Sequence, residues 1–60
     1  MDIKIYFKDG TCRIIDSNLW NDYEYINGMF VVKYDGIWFG IYNMDCIMSI
    51  EMYPDAVMKG

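Results

Sequence analysis

Among the side chains that could act as nucleophiles or acid–base groups are Cys12, Cys46, Ser17, Ser49 and nine carboxylates; the sequence has no histidine. A Ser-His or Cys-His nucleophile needs an imidazole to take up its proton, so both arrangements are excluded. Paired carboxylates can do general acid–base work, and Asp22/Glu24 and Glu24/Glu51 are the pairs to consider. Their spacing singles out neither. Asp9 and Asp35 each precede a glycine, and Asp16, Asp22 and Asp45 sit among Ser and Asn. Turn chemistry accounts for such acids, because an Asp side chain bonds its own backbone two residues on. The expectation is a non-enzymatic protein with no catalytic residue.

Metal and cofactor chemistry fare no better. Two distant cysteines without histidine fall short of the four N/S ligands of a structural zinc site. No Gly-rich phosphate loop and no calcium-loop spacing occurs. The sequence therefore implies no metal and no cofactor, and it casts Cys12 and Cys46 as reduced, semi-buried small apolar residues.

The formal charge is −4, and the five cations (Lys4, Lys8, Arg13, Lys33, Lys59) form no run. A phosphate-binding face requires a basic patch, so nucleic acid and anionic membrane are disfavoured as partners. No apolar run approaches the ~18 residues of a membrane span. The opening "MDIKIYFKDG" has acid and lysine where a signal peptide has a basic region followed by an apolar one. The expected location is cytoplasmic, in a bacterial cell or an infected host cell.

The elements that must position these side chains are strands. Helical periodicity is almost absent. Three X-Gly pairs, Asp9-Gly10, Asn27-Gly28 and Asp35-Gly36, separate strand-like runs. Such pairs supply the positive φ that type I′ hairpin turns require. The pattern predicts an all-β fold: a small antiparallel meander of five or six short strands over residues 1–53, followed by a short tail over 54–60. Gly40, inside a strand, predicts a bend that curls the sheet strongly or leaves a partly open barrel.

Two-residue turns assign the faces. Around Asp9-Gly10, Ile3, Ile5, Phe7, Cys12 and Ile14 share one face, with Ile15 an exception. Around the other two turns, Tyr23, Tyr25, Phe30, Val32, Tyr34, Ile37, Phe39 and Ile41 share a face. Glu24, Ile26, Met29, Val31, Lys33, Trp38, Gly40 and Tyr42 take the opposite one. In the last strand Cys46, Met48, Ile50 and Met52 are in phase. Tyr6, Ile15, Ile47 and Tyr53 fall on the outer side. "DSNLWND" reads as a loop whose Leu19 and Trp20 fold back as a lid.

That second face is too apolar to face water. A chain of this length buries only ~60% of its unfolded surface and is marginal alone. Trp, Tyr and Met are also the residues that enrich interface cores. We therefore expect a protein-binding module, an inhibitor or adaptor acting by surface occlusion, that self-associates, most simply as a homodimer. Trp38, Tyr42, Met29, Val31 and Trp20 form its expected interface, with Lys33 and Glu24 at the rim. The expected partner is a host or bacterial protein. In size and composition the chain resembles small phage or mobile-element anti-defence proteins.

One alternative is a module that sequesters a nucleotide-like ligand in an aromatic-lined groove. A second rests on "IKIYFKDGT" and "MDCIMSIE", which are similar to the strand pattern of Sm-like and SH3-like small barrels. That resemblance implies a small-barrel nucleic-acid binder that stacks bases on exposed aromatics.

Overall fold

Positive φ at both central residues marks two of the predicted turns as type I′: Asn27 (48°) with Gly28 (78°), and Asp35 (51°) with Gly36 (81°). In the computed structural model, which describes residues 1–53, they join β3 (Asp22–Ile26), β4 (Met29–Tyr34) and β5 (Ile37–Asn43) into one antiparallel sheet with β4 central. A second three-stranded sheet holds β1 (Asp2–Phe7) between β2 (Cys12–Ile15) and β6 (Ile47–Tyr53). The fold is all-β, as expected, with six strands among the described residues. The predicted tail over 54–60 lies outside the described residues.

The third turn differs. Gly10 has φ of 94°, whereas Asp9 keeps negative φ. The Thr11 N–H and hydroxyl both donate to Asp9 Oδ1, at 2.9 and 2.6 Å, and this Asx-type arrangement holds the carboxylate to its own turn. The loop closes instead as a three-residue turn, with Phe7 N–H donating to the Thr11 carbonyl at 2.9 Å. Such a loop carries its glycine in the left-handed region next to a bulge. The register therefore pairs Ile3 with Ile15, Lys4 with Ile14 and Tyr6 with Cys12. A one-residue slip exchanges the faces of a strand, which corrects the expected assignment: Ile15 is core at 3% exposed, and Ile14 points outward at 63%.

The two sheets share one core. Ile3, Ile5 and Ile15 from β1 and β2, Phe30 and Val32 from β4, and Ile47 from β6 form a single buried cluster. Phe7, Trp20, Tyr42, Met44, Ile50 and Met52 pack around it, half-buried. Ile47 thus leaves the outer side predicted for it. The reason is a bulge in β6, where Tyr6 pairs with Ser49 and Phe7 with Ile47, so that Met48 is pushed outward.

The overlap between the sheets is partial. Neither β3 nor β5 contributes a fully buried residue, and Tyr25 stays exposed although it shares a face with Phe30. The sheets stay separate and do not form the strongly curled sheet or partly open barrel read from Gly40. A 3₁₀ turn, Met44–Cys46, joins them. Its Asn43 side chain accepts from Asp45 N–H at 2.9 Å, and Met44 N–H donates to the Gly28 carbonyl at 2.9 Å.

The Asp9 turn yields a pH signature. Its bonds from the Thr11 hydroxyl, then the Thr11 N–H, hold the Asp9 carboxyl below its ordinary 3.8. A group with a depressed folded-state pKa contributes stability fully present above the unfolded value and lost as pH falls through the folded one. The melting-temperature difference between wild type and Asp9→Ala is therefore flat at neutral pH. It narrows once the pH drops below 3.8. A difference independent of pH throughout the acid range would show that the carboxylate charge plays no part.

Candidate protein interface

The site is built by a bulge in β5. From the Asp35-Gly36 turn the ladder runs normally, Tyr34 with Ile37 and Lys33 with Trp38. It then skips Phe39 and resumes with Val32 against Gly40, Val31 against Ile41 and Phe30 against Tyr42. The extra residue reverses every face beyond it. Gly40 makes the bulge compatible with packing, because the Tyr42 ring lies back over it. A Cβ at position 40 would stand 3.1 Å from Tyr42 Cε2 and 3.2 Å from the Tyr42 hydroxyl oxygen. Tyr42 also meets Phe7 of the other sheet, with ring centroids 5.9 Å apart.

The seven residues predicted for the interface are thus divided. Trp38 is exposed on the face predicted for it, with Met29 half-buried on the same side. Tyr42 is corrected to the core-facing side. Val31 keeps its face but is 0% exposed and belongs to no part of the shared core. Met29 and Lys33 flank it along β4, and Glu24 and Ile41 lie across from it. This ring of neighbours covers it and leaves it no surface to offer.

Trp20 packs beside the core, its ring edge-on to Tyr23 at 6.1 Å, and its buried Nε1 has no hydrogen-bond partner among the described residues. Lys33 donates to Glu24 at 2.7 Å and lies 3.7 Å from Asp22. The Glu24 bond, more than the neighbouring charges, raises the Lys33 pKa. This salt-bridged trio closes one side of the face.

One exposed apolar groove lies at the turn end of the β4–β5 hairpin. Leu19, Tyr34, Ile37, Trp38 and Phe39, with Asn18, line this open groove of about 420 Å³, which has no charged residue among the described ones. Two segments distant in sequence converge there. Asn21 ties them together: its Nδ2 donates to Asp35 Oδ1 at 2.8 Å, and its Oδ1 accepts from Asp35 N–H at 3.1 Å. Asn21 N–H also donates to the Lys33 carbonyl. The start of the loop is pinned by Ser17 N–H donating to Asp2 Oδ1 at 2.9 Å.

Leu19 is therefore part of a fixed rim, while the lid role predicted for the pair falls to Trp20. Tyr34, Ile37 and Phe39 were missed for two reasons. Tyr34 and Ile37 keep the core-side face that alternation gave them but lie exposed where the sheets do not overlap, and Phe39 is displaced by the bulge. For Phe39, Gly40 was the available signal, since an interior glycine often marks a bulge or a bend.

The outer face of the other sheet is different in kind. Lys4 stands over the Tyr6 ring at 4.9 Å, and Tyr53 donates to Glu51. That bond, made to a carboxylate, holds the Tyr53 phenol well above its usual pKa. Both cysteines are free and exposed, more open than the semi-buried state expected of them. Among the described residues no group of acids and cysteines is placed to hold a metal ion, and no helix is long and apolar enough to cross a membrane.

No known protein family, curated protein or solved structure matches the chain.

The bulge predicts a split between two aromatic substitutions on one strand. Tyr42→Ala removes a half-buried ring from the core margin and costs about 2 kcal/mol, or ~8–16 °C in melting temperature. Gly40→Val acts in the same direction by displacing that ring. Trp38→Ala stays within ~0.5 kcal/mol of wild type, as exposed positions do. Thermal melts followed by circular dichroism decide it, and equal losses for Trp38 and Tyr42 would contradict the register.

Proposed function

We propose that the protein is a non-enzymatic protein-binding module that acts by covering a partner's surface with the patch around Trp38. The observation that carries this reading is the uncharged groove formed by Leu19, Tyr34, Ile37, Trp38 and Phe39. All five residues are exposed, as is Ile41. At ~200 Å² for a complete large apolar side chain, these six half-exposed groups present about 600 Å². The largest apolar patch of an ordinary monomer is ~300–600 Å² and often functional. Aromatic residues dominate the patch, the loop behind it is fixed by Asn21, and binding there requires little reordering. The partner is a host or bacterial protein. Self-association uses β5, which itself carries Ile37, Trp38 and Phe39 of the patch, so a second copy and a foreign partner compete for these residues.

Site-specific photo-cross-linking in cells tests this. A cross-linker at Phe39 should give polypeptide adducts that Trp38→Ala and Leu19→Asp each abolish. The same cross-linker at Ser49, on the outer face of the other sheet, should give none. Equal labelling at both positions would sink the assignment of the site. A melting temperature raised by nucleotides, a mass-action effect, would favour ligand sequestration instead.

A further inference from the structure

We propose that β5 pairs antiparallel with β5 of a second copy of this chain across a two-fold axis, joining two three-stranded sheets into one of six strands. This rests on the protein-binding reading above and names one partner and its contact.

The four outermost strands of the described sheets are β2, β6, β3 and β5. β2 carries Arg13, β6 carries Glu51, and β3 carries Asp22 and Glu24. β5, Ile37–Asn43, has seven residues and no charge. Edge strands are normally guarded by charge, proline or a bulge, because their free N–H and C=O groups will pair with any extended chain. β5 has only the bulge.

The free groups can be assigned. In an antiparallel ladder, successive residues point their N–H and C=O alternately toward one neighbour and away from it. Asn21 N–H donates to the Lys33 carbonyl, so Lys33 turns its groups toward the β3 side, as do Val31 and Met29. Phe30 and Val32 turn theirs toward β5. Their partners Tyr42 and Gly40 are thereby bonded, while Ile41 and Asn43, opposite Val31 and Met29, turn their groups outward. A two-fold axis at Ile41 bonds Ile41 to Ile41 of the second copy in both directions and sets Asn43 against Phe39.

Three observations favour a second copy over a foreign strand. An uncharged strand paired with itself sets apolar against apolar and opposes no like charges, although each chain carries −4. The exposed Ile37, Trp38, Phe39 and Ile41 supply about 450 Å² of apolar side chain. That is over half of the ~800 Å² per partner in a standard interface, before any backbone is counted. Growth also stops at two. The opposite edge of the joined sheet is β3, where Asp22 and Glu24 would face their own copies.

The test uses the whole chain, in sedimentation equilibrium and amide hydrogen exchange across a concentration series. Wild type should sediment at twice the 7.2 kDa of one chain. The Ile41 and Asn43 amides should gain protection as concentration rises. Ile41→Lys restores a charged guard and should raise the dissociation constant at least ~30-fold, the hot-spot range. Ile41→Pro removes an outward N–H that the monomer does not use, and should give a monomer with an unchanged β spectrum.

If Ile41→Pro does not fold, Ile41→Lys and the amide protection still decide. A wild-type monomer at millimolar concentration would overturn the proposal. So would a dimer indifferent to Ile41→Lys. If Trp38→Ala breaks the dimer and Ile41→Lys does not, the copies meet at the groove; edge pairing then fails while the protein-binding reading stands.

Discussion

The antiparallel pairing of β1 with β6 holds this molecule together. It runs from Asp2 opposite Tyr53 to Phe7 opposite Ile47, joining the two ends of the described chain. It makes β1 a central strand, with Ile50 opposite Ile5 and Met52 opposite Ile3. Without β6, the β1–β2 hairpin would be a two-stranded ribbon, marginal in water by itself. Ile3 and Ile5, both 0% exposed, would lose one flank of their cover. The contact is also the most expensive in loop entropy, because it closes nearly the whole chain. The three X-Gly hairpins are local and quick to form, so the ordering of β6 is the step that topology makes slow.

Two of the three turns were legible in the sequence, and everything set by a count across a bulge was not. Asn27-Gly28 and Asp35-Gly36 declared their geometry because, among the described residues, no group within either turn bonds the Asn27 or Asp35 side chain; the Asp35 carboxylate accepts instead from distant Asn21. Asp9-Gly10 looks identical as a dipeptide. The difference is Thr11, whose two bonds to Asp9 turn a two-residue loop into a three-residue one. In β5 and β6 a single inserted residue, Phe39 or Met48, reverses the remaining faces. Alternation arguments contain no term for such an insertion, and both β5 and β6 are apolar enough on both faces to hide it. Trp38, counted from the nearby turn, was placed on its correct face. Tyr42, four residues further, was not.

The bulge couples stability to surface. The shift that brings Tyr42 over Gly40 and against Phe7 also ejects Phe39 from the ladder. It turns Ile41 from the core face to the outer one. A regular β5 would have aligned Phe39 and Ile41 with Phe30 and Val32. Those two bulky side chains would then occupy the space beside Val32 and Phe30 where Gly40 and one tyrosine ring now lie. Interiors this small tolerate little excess volume. Given the limited overlap of the sheets, seating Tyr42 is the better-packed solution, and exposed apolar surface is its consequence.

Exposed apolar residues are spread over all four outer strands, including Met48 and Tyr53 of β6. The central strands β1 and β4 are covered from both sides of the shared core, and the cost of incomplete coverage is displaced to their neighbours. On β3 it falls on Tyr23 and Tyr25, whose rings lie against Phe30 with centroids 5.7 and 5.3 Å away, and whose strand carries two acids. On β2 it falls on Ile14, beside Arg13. On β5 no charge intervenes, and the loop bearing Leu19 is bonded so as to extend the apolar surface around the hairpin end. Domains of this size cannot bury all their apolar residues. Among the described strands the largest share of that exposed surface, Ile37, Trp38, Phe39 and Ile41, falls on one uncharged strand, where desolvation by another polypeptide meets the least electrostatic opposition.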